Sequence, residues 1–496
     1  MTLTTAAIAF LVAVFSPIGF EPVTVGAQQG EVVELLGPGD LERTPRDYLA
    51  VAATVKSAGN SEVALTLVDV LNREYTSQTV ELTADKENTI SLDMDAIGRP
   101  VSLLRAVKLS CKGAAVQVSD LRFYCAAERL PGPHVTIEGP QNSSSIQAAL
   151  DALGADGGIV YIPAGTYLLT EQVNIPTSNI SIYGDGPDTI LQGTWTGAAD
   201  LIVADNKQNL RFSRLHLRSL SEDECRSHPA GTKPLDEKPP ASAKKRGLHI
   251  IGCENVRVDH CEVELFGNVG IMFTDCTNSL VDHCFAHGYF PYASGYGIGA
   301  RGCDETYIED NNIENHRHGI TTYNGCHKSY ERYNRLVKDP FVVPEWYTDA
   351  KSITYLSSYQ VNAHPGCGWL CVHDNYIAIT TGLMWTGAEM RGNSGWLYRN
   401  LIKACTIGIT CTRDSDDVWT WDNEFQSVTV NHVSTAEGRI HFGEKPPDFT
   451  EIPYPHQLNR MGWWPGGGES VLTLAKPATQ FAGPADALVL QLVNMD

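Results

Sequence analysis

Ile251-Gly-Cys-Glu-Asn-Val-Arg-Val-Asp-His-Cys261 aligns with Thr274-Asp-Cys-Thr-Asn-Ser-Leu-Val-Asp-His-Cys284, and Arg301-Gly-Cys-Asp-Glu-Thr-Tyr-Ile-Glu-Asp-Asn311 is a third copy. The column that ends these copies has successive spacings of 23, 27, 23, 41, 25 and 23 residues and continues through Asn334, Asn375, Asn400 and Asn423. A period of this length is typical of solenoids, in which each turn stacks on the one before. Because neighbouring strands lie about 4.8 Å apart, equivalent residues of successive turns should contact one another.

A second column follows the same turns through the pairs Gly270-Ile271, Gly297-Ile298, Gly319-Ile320, Gly382-Leu383 and Gly408-Ile409. Two columns with one shared period predict the stacked turns of a parallel β-solenoid. Asn and small Cys side chains suit tight corners, where one residue type must satisfy the same backbone geometry on every turn. We therefore expect Cys261 and Cys284 to be stacked thiols and not a disulfide.

The segment before the repeats carries a resemblance to a known family. Ser145-Ile-Gln-Ala-Ala-Leu-Asp-Ala-Leu153 predicts a short amphipathic helix, and Gly157-Gly-Ile-Val-Tyr-Ile-Pro-Ala-Gly-Thr-Tyr167 follows it. This helix, double glycine, buried strand and turn resemble the opening of secreted parallel β-helix proteins of the pectate-lyase superfamily. The resemblance implies an all-β, right-handed parallel β-helix, which we place at residues 131–440, with a C-terminal cap at 441–496.

The N-terminal part differs from the solenoid. Short runs of alternating apolar and polar residues, such as Tyr48 to Val55 and Val63 to Val70, predict a small antiparallel β-sandwich at residues 30–130. Such a module either binds carbohydrate or is a spacer, since fold alone does not establish function. With 13 cysteines in the chain at least one is unpaired, and Cys111 with Cys125 is the most plausible disulfide.

Charge and the first 27 residues bound the location and the partners. The chain has 496 residues, with 37 Lys and Arg against 58 Asp and Glu, a net charge of -21 that disfavours nucleic acid as a partner. Residues 1–27 combine an apolar run, Ala6 to Phe20, with a small-residue cleavage pattern and predict a signal peptide. A buried apolar strand is the alternative, because no Lys or Arg precedes Arg43. No later stretch could span a membrane, so we expect a secreted or periplasmic monomer.

The densest polar stretch is Asn315-His316-Arg317-His318-Gly319, one strand after the Asn311 corner. His318 precedes its Gly-Ile pair as Tyr296 precedes the pair one turn earlier, so these two side chains should be stacked neighbours. Residues 295–377 also resemble a pattern of bacterial secreted β-helix proteins without a settled activity. In this sequence Asn362 replaces the acidic residue that usually stands two positions before the His.

This cluster suggests a lyase that cleaves a uronic-acid polymer. Such an enzyme neutralises the sugar carboxylate, removes the C5 proton and protonates the leaving oxygen, and Arg, His and Tyr suit these tasks. The charge of Arg317 should also depress the pKa of His318 and keep the imidazole neutral. The predicted catalytic residues are Arg317, His318, Tyr330, Arg332 and His364. Substrate-binding candidates are Tyr296 and His316, with Trp346 and Tyr347 from an excursion at 337–358 that should overhang the Arg317 face.

Other functions stay open. A glycoside hydrolase needs two carboxylates, for which Glu389, Asp414, Asp416 and Asp417 are candidates, although three of the four polygalacturonase-like signatures are absent. A non-catalytic glycan-binding protein, in which the cluster is a buried polar ladder, is the third function. Calcium is implied by the family resemblance alone, without a convincing carboxylate cluster. Zinc is the weaker metal hypothesis, from the spacing of His364, Cys367, Cys371 and His373.

Overall fold

The structure is a computed structural model. It describes residues 11–15, 21–26, 31–36, 45–94, 101–128, 130–221, 223–224, 245–288, 295–323, 325–338, 360–379, 386–391, 394–412, 415–436, 438–459 and 463–467. The described residues from 11 to 36 and residues 46–130 belong to one compact unit, and residue 45 with the described residues from 131 to 467 belongs to a second. No helix in these ranges is long and apolar enough to cross a membrane.

The first unit consists of two antiparallel sheets. Its strands are β1 (Leu11–Phe15), β2 (Val23–Val25), β3 (Glu31–Leu36), β4 (Tyr48–Ser57), β5 (Ser61–Asp69), β6 (Glu74–Thr76), β7 (Val80–Leu82), β8 (Glu87–Asp93), β9 (Leu104–Gly113) and β10 (Val116–Ala127). One sheet has the order β1-β10-β4-β8 and the other β3-β9-β5-β6, with β2 and β7 paired to β10 and β5. Both sheets contribute to one core, which includes Val51, Leu65, Leu109 and Phe123. The predicted β-sandwich is confirmed.

Two predictions concern this unit. Leu11–Phe15, within the predicted signal peptide, pairs with Phe123–Ala127 of β10; cleavage of residues 1–27 stays a prediction. The predicted Cys111–Cys125 disulfide is not formed, because the two residues do not flank a hairpin: β9 and β10 lie in different sheets. The Cys111 thiol instead donates to the carbonyl of Ala114, at 3.4 Å.

The second unit begins with a helix, α1 (Ser143–Asp151), whose N-cap Asn142 accepts from the backbone N–H of Ser145 at 3.0 Å. A short 3-10 helix spans Gly186–Asp188. The strands are β11 (Val135–Thr136), β12 (Gly158–Ile162), β13 (Gly165–Leu169), β14 (Val173–Asn174), β15 (Ile180–Gly184), β16 (Thr189–Gly193), β17 (Asp200–Asp205), β18 (Gln208–Ser213), β19 (His216–Arg218), β20 (Arg246–Ile251), β21 (Glu254–Asp259), β22 (Glu262–Glu264), β23 (Val269–Thr274), β24 (Thr277–Asp282), β25 (Phe285–His287), β26 (Tyr296–Arg301), β27 (Asp304–Glu309), β28 (Asn312–Glu314), β29 (His318–Tyr323), β30 (Lys328–Arg332), β31 (Arg335–Lys338), β32 (Val361–Ala363), β33 (Trp369–His373), β34 (Tyr376–Ile379), β35 (Thr386–Arg391), β36 (Ser394–Tyr398), β37 (Leu401–Lys403), β38 (Ile407–Thr412), β39 (Val418–Trp421), β40 (Glu424–Gln426), β41 (Val430–Ser434) and β42 (Ile440–Phe442).

These strands form three parallel sheets. The first sheet has twelve strands, from β11 and β12 through every third strand to β42; the second runs from β13 to β40 and the third from β14 to β41, with ten strands each. Each turn of the chain therefore adds one strand to every sheet, and one apolar core fills the interior. The chain is a right-handed parallel β-helix, as the sequence predicted.

The Asn column forms the corner between the first and second sheets. Asn334 Nδ2 donates to Asn375 Oδ1 at 3.1 Å and to the carbonyl of Ile308 at 2.8 Å. The same Oδ1 accepts from the backbone N–H of Asn334 at 3.0 Å. The residue before each corner Asn has a positive φ, as at Tyr333 (57°) and Asp374 (54°). Each amide thus supplies the hydrogen bonds that a left-handed corner needs.

Buried thiols replace Asn at the earlier corners. Cys261 and Cys284 are free and buried, and each donates to the carbonyl two residues before it, at 3.4 Å. The predicted stacked thiols are confirmed. A second column of free, buried thiols follows the corner between the third and first sheets, at Cys253, Cys276, Cys303, Cys326 and Cys367.

The second predicted column is wrong in one place. In the third sheet Ile320 is in register with Val361, and Ala388 with Ile409. Gly387-Ala388, and not Gly382-Leu383, therefore occupies the column on β35. The long interval also starts later than predicted, because Val337 and Lys338 belong to β31.

The last described residues, 443–459 and 463–467, cover the outer face of the first sheet and are called the strap. Three buried arginines of that sheet hold it. Arg332 donates to the carbonyl of Pro453 at 2.8 Å, Arg257 to Asn459 Oδ1 at 2.9 Å and Arg211 to the carbonyl of Trp463 at 2.9 Å. Each arginine also pairs with a carboxylate, as Arg211 does with Asp259 at 2.7 Å. Of the predicted cap at 441–496, residues 441 and 442 belong to β42 and the later described residues form this strap.

Glu331 is a carboxyl group inside the core. It lies in register between Ile308 and Val372 and is fully buried. Neither carboxyl oxygen has a hydrogen-bond partner. Burial raises the pKa of Glu331 to about 8, because removal from water disfavours the charged form.

We expect Asn375→Ala to lower the free energy of unfolding by about 1–3 kcal/mol, since it leaves buried donors without an acceptor. Urea unfolding measures this change. Asn431→Ala, at an exposed position of β41, is the matched control and should unfold like the parent protein. Equal midpoints for all three proteins would contradict a stabilising role for the column.

We expect Glu331→Gln to change how stability depends on pH. Between the ordinary glutamate pKa, about 4.3, and the folded value of about 8, the folded parent binds more protons than its unfolded state. Its stability therefore falls as pH rises through this range. The variant has no such loss, so its stability relative to the parent should be greater at pH 8 than at pH 5. Urea midpoints measured from pH 5 to pH 8 test this, and parallel profiles would sink the idea.

Candidate functional site

The outer face of the third sheet brings several predicted residues together. Tyr296 on β26 is in register with His318 on β29, and their rings are 4.7 Å apart between centroids. This neighbour relation is confirmed. Arg317 directly precedes β29, and its guanidinium carbon lies 6.0 Å from the centre of the Tyr296 ring.

His364 belongs to the same group. It follows β32, and its ring stacks on that of Tyr323 at 4.9 Å with an 11° interplanar angle. The centroids of the His318 and His364 rings are 6.3 Å apart, and the two rings are nearly perpendicular, at 89°. We call Tyr296, Arg317, His318, Tyr323 and His364 the His–Tyr–Arg cluster. The register of three consecutive strands, β26, β29 and β32, holds it in place.

A polar column runs beside this cluster. Thr321, Asn362 and Glu389 occupy equivalent positions on β29, β32 and β35. All three are buried, and Asn362 Nδ2 donates to Glu389 Oε2 at 2.7 Å. A carboxylate thus stands one strand beyond the position where the resemblance pattern expects one.

Exposure divides the cluster into two parts. Arg317, Tyr323 and His364 are half-buried, whereas Tyr296 and His318 are 5% and 3% exposed. Burial, together with the neighbouring Tyr296, raises the pKa of Tyr323 far above its ordinary value. Tyr323 therefore keeps its proton at neutral pH and does not act as a base. The more exposed imidazole of the cluster is therefore His364 and not His318.

Tyr330 and Arg332 do not join this cluster. Both lie on β30 of the first sheet, beyond the Cys326 corner that separates it from β29. Tyr330 stacks on Tyr307 at 4.4 Å. Arg332 is fully buried, pairs with Glu309 at 2.9 Å and holds the strap. The prediction of one five-residue catalytic set is wrong in this respect, because strands of one turn face different directions.

The predicted substrate-binding residue His316 is buried. It is 1% exposed, and burial lowers its pKa to about 3. The structure therefore does not expose the predicted substrate-binding residue His316. Trp346 and Tyr347, with most of the predicted 337–358 excursion, lie outside the described residues, so their position stays a prediction.

The carboxylates considered for hydrolysis are not gathered. Asp416 and Asp417 are on the turn before β39, roughly half exposed, where Asp416 accepts from the backbone N–H of Arg439 at 2.7 Å. Asp414 lies outside the described residues. The strands β26, β29, β32, β38 and β41 contain no Asp or Glu.

The residues with zinc-like spacing, His364 to His373, also do not converge on one site. Cys367 donates to the carbonyl of Tyr323 at 3.0 Å in the thiol column. His373 lies on β33 of the first sheet, where it stacks on Tyr398 and bonds Asp374 at 2.8 Å. His364 belongs to the third sheet's face, so this set does not form a metal site.

Residues 139–334, about two fifths of the chain, match the family described as rhamnogalacturonase A/epimerase, pectate lyase-like. The match includes Tyr296, Arg317, His318 and Tyr323 but ends before His364 and Glu389. A comparison with curated proteins finds no match.

Several solved structures are similar at low identity. An alginate lyase from Paenibacillus sp. str. FPU-7 has 14% identity over 62% of this chain and 99% of its own, with a TM-score of 0.39. A hyperthermoactive exopolygalacturonase from Thermotoga maritima has 10% identity over 64% and 93%, with a TM-score of 0.39. A DFA-IIIase from Arthrobacter chlorophenolicus A6 has 12% identity over 59% and 83%, with a TM-score of 0.40.

We expect Arg332→Met to destabilise the fold by about 3–5 kcal/mol, because it leaves Glu309 buried and unpaired. The double variant Arg332→Met with Glu309→Leu should recover much of that loss. Arg317→Met, on the half-buried edge of the third sheet, is the control and should cost less. Urea unfolding of the four proteins tests this, and a fully stable Arg332→Met protein would contradict the structural role.

Proposed function

We propose that the protein is an enzyme that acts on a polysaccharide, and that it cleaves a uronic-acid-containing polymer by β-elimination at the His–Tyr–Arg cluster. The observation that carries the proposal is the stack of His364 on a protonated Tyr323 beside Arg317. A base, an acid and a carboxylate-binding group are then on adjacent turns. The family match over residues 139–334 supports a carbohydrate substrate.

Each reaction step has a side chain of suitable chemistry. Arg317 would bind the uronate carboxylate, because a guanidinium stays charged and forks onto two oxygens. His364 would take the C5 proton, the C4–C5 double bond would form and the C4–O bond would break. Tyr323 would give its proton to the leaving oxygen. We assign the base to His364 and not to His318, because His364 is half-buried and His318 is 3% exposed.

His318 and Glu389 would then position the reacting groups. The His318 ring is nearly perpendicular to the His364 ring. Glu389 accepts a hydrogen bond from Asn362, which stands two residues before His364 in the sequence. Hydrolysis is less well supported. It needs two carboxylates about 5–9.5 Å apart. Glu389 is on β35, and the neighbouring strands β32 and β38 contain no second carboxylate.

We expect His364→Ala to lower turnover by about a hundredfold or more, the usual worth of a general base, with little loss of stability. His318→Ala should instead lower stability, since it removes a buried side chain. His327→Ala, at an exposed turn position outside the cluster, is the matched control. The assay uses a panel of uronate polymers and follows the ultraviolet absorbance of the unsaturated product, with reducing ends measured in parallel.

Each outcome discriminates. Reducing ends without ultraviolet absorbance would establish hydrolysis and overturn the lyase proposal. Binding without either signal would leave a glycan-binding protein. An active, stably folded His364→Ala protein would remove the base from this residue, even if the parent protein is a lyase.

A further inference from the structure

The outer face of the second sheet gathers imidazoles and carboxylates on three consecutive strands. His216 is on β19, Glu262 and Glu264 are on β22, and His287 is on β25. The parallel ladder fixes the backbone positions of all four residues. Ligands on neighbouring strands of a rigid sheet are held more precisely than ligands on loops.

The side-chain atoms converge. His216 Nε2 lies 3.1 Å from Glu264 Oε2 and 3.7 Å from Glu262 Oε1, and His287 Nε2 lies 2.7 Å from the same Glu262 oxygen. One donor atom from each of His216, Glu262 and Glu264 lies within 4.8 Å of the others. In the part of the chain that the structure describes, no other trio of His, Cys, Asp or Glu meets this criterion.

The other ring nitrogen of His216 shows which way the ring is used. Nδ1 lies 3.2 Å from the carbonyl oxygen of Pro187, a group that only accepts. Nδ1 therefore carries a hydrogen, and Nε2 is the ring nitrogen that faces the two carboxylates. A proton or a metal ion on Nε2 removes the repulsion between its lone pair and the carboxylate oxygens. Metal-binding histidines commonly donate their second N–H to a carbonyl in this way.

Two neighbours hold the remaining groups. Arg218 Nε donates to Glu264 Oε2 at 2.7 Å, and a carboxylate has further lone pairs for a second partner. Phe285 stacks on the His287 ring at 4.3 Å. The charges of the two carboxylates and the one guanidinium sum to one negative charge, which favours a cation.

We propose that His216, Glu262, Glu264 and His287 bind a divalent transition-metal ion, with zinc as the reference ion. Two imidazole nitrogens and two carboxylate oxygens are ligands that zinc accepts in four-coordinate sites. Calcium prefers six to eight oxygen ligands and does not suit this set. The ion would tie three strands of the second sheet together. The site lies on a different sheet from the His–Tyr–Arg cluster, so it does not depend on the proposed function.

The test is calorimetric titration of the metal-free, tag-free full chain with zinc chloride, and with calcium chloride in parallel. We expect one zinc site of micromolar affinity or tighter and no matching calcium binding. Glu264→Gln and His216→Ala should each weaken zinc binding at least tenfold, since each removes a ligand. Glu314→Gln is the matched control, because Glu314 follows His287 in the same column and pairs with Arg335 instead.

His287→Gln keeps the test decisive if a more buried variant does not fold, because His287 is 24% exposed and lies at the rim. It too should weaken zinc binding while the thermal unfolding midpoint of the metal-free protein stays unchanged. The proposal is overturned if the parent protein does not bind zinc at micromolar concentration. It is equally overturned if the folded ligand variants bind zinc as tightly as the parent and Glu314→Gln do.

Discussion

The corner between the first and second sheets is the constraint on which the β-helix depends. At each turn the chain must bend through a residue of positive φ and then satisfy buried backbone groups. The residue before each Asn supplies the positive φ, and the Asn column supplies the hydrogen bonds, since each side-chain amide bonds to the corner before it and to the corner after it. A corner with one geometry on every turn leaves strands in constant register. Every functional feature of this unit is consequently a column or a set of adjacent columns.

Identical residue types therefore have different roles on different faces. Arg332 and Arg317 are fifteen positions apart in sequence, yet one is buried against Glu309 and the strap and the other lies at the half-buried edge of the third sheet. A buried guanidinium requires a paired carboxylate and further acceptors, which the first sheet and the strap carbonyls supply. A guanidinium that reaches water, as that of Arg317 does, can satisfy part of its hydrogen-bonding capacity there.

The repeat predicted the fold, the Asn and Cys corners and the Tyr296–His318 pair, because these depend on register alone. The repeat also contained the information that separates Arg332 from the His–Tyr–Arg cluster. Arg332 stands two residues before the Asn334 corner and so belongs to a strand of the first sheet. His318 instead begins a strand of the third sheet. The strap could not be predicted, since Arg332 and Pro453 are separated by 121 positions and share no pattern. The repeat did not reveal Glu389 as a neighbour of Asn362, because Gly382-Leu383 matches the Gly-Ile pattern of the column that Gly387-Ala388 occupies in the structure.

That register error also shows how a column can change chemistry without changing shape. The outward position that holds Thr321, Asn362 and Glu389 passes from a hydroxyl to an amide to a carboxylate over three strands. The amide of Asn362 donates to the carboxyl group of Glu389, so the two side chains satisfy each other within a buried face. Asn at position 362 therefore does not leave this face without a carboxyl group. Glu389 carries one on the next strand, and Asn362 donates a hydrogen bond to it.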